Sequence, residues 1–162
     1  MTLWDVRTQR WSETLERVSP ERRGAISLEV IRGTLAFFRP SFEEVFSEAT
    51  VQFVRSALET ATSEGVDRTE ADRASNRLYS LVNEDPAIGT ASLAAAFSLF
   101  FDCVAADFDV DSTFEIMSSC YEAVLHTEGL SQEVLESGRD NENCSRLIDF
   151  QWGVIQRALS AG

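Results

Sequence analysis

The chain has 162 residues, 44% of them hydrophobic and 25% charged, and carries a net charge of −13. That balance is too apolar for a disordered segment and suits one domain burying roughly 70% of its unfolded surface. So negative a chain repels nucleic-acid backbone and anionic membrane, and it attracts basic partners.

Hydrophobic spacing reads as helix throughout, because no segment alternates with period two for long enough to make a strand. The first helix is expected over about Leu3 to Val18, where Trp4, Trp11, Leu15 and Val18 share one stripe. Its tryptophans suit a core, and a loosely docked segment of this kind would also be the part most able to bind a partner. Ser19 caps a second helix with Pro20 at its first position, where a missing N–H costs nothing, and Pro40 stops it. Ser41 with Glu44 forms a capping box for a third helix reaching about Thr62. Asp67 with Glu70 opens a fourth, whose stripe is Ala71, Ala74, Leu78, Leu81 and Val82.

After a turn at Asn83 to Gly89 comes the most apolar stretch, Ala91 to Ala106, interrupted only by Asp102. A helix hydrophobic on all sides belongs inside a bundle or a membrane. This run is too short to span a bilayer and is followed by Asp107, so it is expected as the enclosed central helix. A sixth helix opens at Ser112 and Glu115, with Phe114, Met117, Tyr121, Val124 and Leu125 facing inward. A short helix or turn is expected at Ser131 to Ser137, and a last helix from about Asn141 to Leu159. The fold class is therefore all-α: residues 1–162 form a single domain, a bundle of about seven helices around the hydrophobic helix at about 90–106.

Three cysteines, Cys103, Cys120 and Cys144, are far apart and odd in number, which suits buried reduced thiols. With no apolar run of a signal peptide in MTLWDVRTQRW, a cytoplasmic location is expected.

Charge is unevenly placed. Residues 1–40 are net basic, whereas no Arg or Lys falls between Arg77 and Arg139, a span holding eleven acids. Asp107, Asp109 and Asp111 resemble the start of a calcium loop, but its sixth and twelfth positions hold Ser112 and Ser118 instead of Gly and Glu. These aspartates suit the start of a helix, where the dipole favours them. His126 is the single histidine, four residues after Glu122, and in the last turn of a helix it complements the dipole. No cofactor or metal is expected: di-iron bundles need two Glu-x-x-His pairs, and zinc needs several His or Cys. Asp102, amid apolar neighbours, is expected to be buried and paired with Arg32 or Arg55; otherwise it sits at a groove rim and receives a cation. Arg22 and Arg23 are too few for a nucleic-acid patch.

Leu35-Ala-Phe-Phe-Arg-Pro-Ser-Phe-Glu-Glu-Val-Phe, Phe53-Val-Arg-Ser-Ala-Leu-Glu, Asp109-Val-Asp and Cys120-Tyr-Glu-Ala-Val together resemble the YjaG-like family of small helical bacterial proteins. That resemblance implies a helical fold and no catalytic residue. In general character the chain also resembles immunity proteins of bacterial toxin systems, which are small, acidic and often helical. The function expected is a non-enzymatic, acidic protein-binding module, most concretely an immunity-type protein neutralising a basic toxin. Asp107, Asp109, Asp111, Glu115, Glu122 and Glu133 would meet the partner. The alternatives are a small enzyme or ligand-binding bundle with a pocket near Asp102 and His126, and an acidic mimic of nucleic acid.

Overall fold

The structure, a computed structural model, describes residues 2–62, 67–128 and 141–161. Among these residues there is no strand, and the order is α1 (Leu3–Arg7), α2 (Trp11–Leu15), α3 (Pro20–Thr34), α4 (Phe42–Val45), α5 (Glu48–Thr62), α6 (Arg68–Glu84), α7 (Thr90–Ala105), α8 (Val110–Thr127) and α9 (Glu142–Ser160). The expected helix at Ser131 to Ser137 lies outside the described residues, as does Glu133. No helix among the described residues is long and apolar enough to cross a membrane.

Local chemistry sets most of the helix starts. Ser19 accepts from the Arg22 N–H with Pro20 in the first turn, and Asp67 and Glu70 form the reciprocal capping box of α6. Asn141 accepts from the Cys144 N–H to open α9. Two expected helices are broken, each by a tertiary demand. The first divides after Arg7. The turn there lets the Trp4 indole N–H donate to the Gln151 side-chain oxygen at 2.8 Å, while the Trp11 ring stacks on Trp152 at 5.5 Å. Gln151 in turn donates to the Met117 carbonyl at 2.8 Å, and Arg7 pairs with Asp149. The N-terminal segment is thus firmly docked, with Trp4 only 2% exposed, and it is not a loose arm. The third expected helix divides at Phe46 and Ser47. There the Asp85 carboxylate accepts from the Ser47 N–H (2.9 Å), the Thr50 hydroxyl (2.7 Å) and the Ala87 N–H (3.0 Å).

The helices share one core. Its most enclosed member is α8, which packs against α7, α3, α9 and α2. Ile116, Met117, Cys120, Tyr121, Ala123, Val124 and Leu125 of α8 are all buried. Next to it, α7 lies where the apolar run placed it and packs on α6, α8 and α3. It is not enclosed on every side, however. Leu93, Ala94, Ala96, Phe97, Phe100, Phe101 and Cys103 are buried, while Ala91, Ala95, Asp102 and Ala105 are exposed. Small side chains make a helix hydrophobic all round without giving it the bulk to hold neighbours on every face. At its N-terminus α7 approaches α8 so closely that a Cβ on Gly89 would lie 2.6 Å from the Ala123 carbonyl oxygen. All three cysteines are buried and free, and burial pushes the thiols of Cys120 and Cys144 up to about 12.

Candidate functional site

The acidic surface starts where α7 ends. Asp107 accepts from the Phe108 N–H, and the Phe108 ring turns in against Phe100, 5.4 Å between centroids. Arg23 holds this corner from the other side. Its guanidinium donates to the carbonyls of Phe108 (2.6 Å), Val18 (2.7 Å) and Leu15 (3.2 Å). Arg22 likewise donates to the carbonyls of Ala158 and Ala161, so both arginines close helix ends.

Asp109 is the N-cap of α8, which therefore begins at Val110, ahead of the expected Ser112. Its carboxylate accepts from the Ser112 N–H at 2.7 Å and the Ser112 hydroxyl at 3.1 Å. Those two bonds, with Arg23 nearby, hold it below the usual carboxylate range. The aspartates of the calcium-like run thus serve the helix start: Asp109 caps it and Asp111 sits in its first turn, where the dipole favours negative charge. Among the described residues no cluster of three or more His, Cys, Asp or Glu is placed to hold a metal ion.

Asp111, Glu115 and Glu122 follow at four and seven residues, which at 3.6 residues per turn lines them on one stripe of α8. All three are exposed, as are Asp107 and Asp109. Asp102 extends this surface onto α7. The Cys103 thiol is pushed up mainly by its burial and further by the charges of Asp109, Asp102 and Asp107, so these carboxylates gather at the α7–α8 junction.

The expected ion pair of Asp102 does not form. Asp102 is exposed, Arg55 pairs with Glu43 at 2.6 Å, and Arg32 donates to the Thr62 hydroxyl at 2.6 Å. The apolar run around Asp102 points to burial, but on α7 this residue falls on the uncovered face. Among the described residues the buried carboxylate is Asp85, which sequence spacing did not single out. Burial opposes its charge, but the Ala87 and Ser47 N–H groups and the Thr50 hydroxyl outweigh that and hold it below the usual range.

Asp102 instead sits at the rim of a groove of about 400 Å³ between α6 and α7. Leu78, Tyr79 and Val82 of α6 form one wall, and Ala91, Ala95, Ser98 and Leu99 of α7 lie opposite. This is the groove-rim placement that the sequence leaves open for Asp102. His126, half-buried in the last turn of α8, does not line the groove. A second, polar cleft of about 590 Å³ lies over the Trp11–Trp152 stack and is lined by Arg7, Arg10 and Arg17 together with Glu13. Spacing does not say which helix packs on α7, so the α6 wall of the groove goes unread; the small residues of α7 are its one local sign. No family model, curated protein or solved structure matches the chain.

Proposed function

We propose that this protein is a non-enzymatic binding module that meets a basic protein through the acidic surface of α7 and α8; an immunity-type protein neutralising a basic toxin is its most concrete form. The observation that supports this reading is the exposure of Asp107, Asp109, Asp111, Glu115 and Glu122 on elements that carry no arginine or lysine. Charge laid out in this way acts mainly on the encounter rate, steering a cationic partner and fixing its orientation. Arg7, Arg10 and Arg17 stand apart at the Trp11–Trp152 cleft, and Arg23, the arginine beside Asp109, commits its guanidinium to the carbonyls of Phe108, Val18 and Leu15.

The test is a pull-down from the source cell with the wild-type chain and with the triple variant Asp111→Asn, Glu115→Gln, Glu122→Gln. A basic protein retained by the wild type, and lost both by the variant and at high salt, is the expected result. Recovery that ignores charge and salt contradicts the reading. A second reading, a ligand-binding bundle or small enzyme, draws on the groove at Asp102. It requires a small cation to saturate that groove in calorimetry.

A further inference from the structure

Steering charge brings a partner close but does not hold it; a seat needs apolar surface that water leaves on binding. The α6–α7 hairpin supplies such a surface. Of the large hydrophobic side chains exposed among the described residues, Tyr79 (69%) and Ile88 (74%) lie on α6 and on the turn into α7. The groove running along α7 from Ala91 to Asp102 is about 16 Å long, three helical turns at ~1.5 Å per residue. Alanine and serine on its α7 side let another backbone approach closely. Leu78, Tyr79, Val82 and Leu99 provide bulk beside them, and Asp102 is the one charged residue among those lining the groove.

We propose that this groove seats an amphipathic, cationic helix of the partner, its apolar stripe against α6 and α7 and a basic side chain at Asp102. The inference rests on the reading of the chain as a binder of a basic protein and names how that partner is held. Charge complementarity selects the occupant. A second copy would bring another chain of net charge −13 to a groove with no basic residue among its lining. A helix with leucines on one face and arginines flanking them satisfies both the apolar walls and the carboxylate. The surface is continuous with the steering face, because Asp102 is exposed in the last turn of α7 and the chain runs from there through exposed Asp107 and Asp109 into α8.

The probe is a fluorescein-labelled helical peptide of roughly 18 residues, about five turns, with a leucine stripe flanked by arginines. Its binding to the full chain is read by anisotropy beside two controls, one with leucines replaced by glutamine and one with arginines replaced by glutamine. Saturable binding of the parent peptide is expected, weakened about tenfold by Ala95→Gln and a few-fold by Asp102→Asn. Ala95 and Asp102 are exposed, and unchanged thermal melts of both variants verify that the fold is intact. If Ala95→Gln binds the parent peptide as tightly as wild type, or if no saturation is reached at about millimolar peptide, the groove assignment is overturned. Equal binding of the leucine-free control also overturns the groove while leaving the basic-partner reading standing. Equal binding of the arginine-free control overturns the cationic occupant, while the basic-partner reading stands or falls on the charge and salt dependence of the pull-down. Concentration-dependent dimerisation abolished by Ala95→Gln overturns the choice of occupant in favour of a second copy.

Discussion

Helices α7 and α8 lie side by side in antiparallel order, yet they do different work. The first is built from alanine, serine and phenylalanine, with its phenylalanines Phe97, Phe100 and Phe101 turned inward and its Ala91–Ala95–Asp102 face open. The second alternates acids with large hydrophobics and is held on nearly every side by α2, α3, α7 and α9. Burial is thus decided by how many elements can pack against a helix, and bulk at the contact governs that more than mean hydropathy. An apolar helix of small side chains is left with a face to offer; a mixed helix with one outward acidic stripe becomes the pillar.

This contrast is open to direct attack. Ile116→Ala empties part of the α8 core and should cost about 2–5 kcal/mol in chemical denaturation; a loss below about 1 kcal/mol would mean that α8 is not the pillar. Gly89→Ala pushes a methyl group against the Ala123 carbonyl and Thr127. It should cost about 1–3 kcal/mol through overpacking, and a neutral effect would show that the two helices stand further apart.

A smaller effect concerns pH. Asp85 is held below the usual carboxylate range in the fold, against about 3.9 for an unfolded aspartate. The stability it contributes is therefore complete above the unfolded value and drains away as pH falls through the lower folded one. Asp85→Asn should flatten the loss of stability on acidification below about pH 4; an unchanged acid limb would contradict the anchoring of α5 by this carboxylate. Smallest of all, Asp102→Asn should change stability by no more than about 0.5 kcal/mol, as at an exposed site. A larger loss would restore the buried ion pair that the structure lacks.

What was legible in the sequence was local. Ser19 with Pro20, Asp67 with Glu70, and the stripes of α6 and α9 each act within one or two turns, so spacing alone exposes them. The breaks were not local. The turn after Arg7 exists because Trp4 must reach Gln151, 147 residues away. The break at Ser47 answers to Asp85, 38 residues on. For the candidate site, the aspartates at the start of α8 and the acidic stripe of that helix could be read from their spacing. Asp102 could not, because its surroundings depend on how far α6 covers α7.

The most direct test of the open face is the reactivity of a thiol placed on it. Ala95→Cys should be labelled by a maleimide at the rate of a free thiol in the native protein, with labelled sites mapped by mass spectrometry. The buried Cys103, Cys120 and Cys144 should remain unlabelled until denaturant is added. Protection of the residue-95 thiol equal to that of Cys120 would mean that α7 is enclosed on all sides, and that neither a groove nor an acidic rim at Asp102 is there to meet a partner.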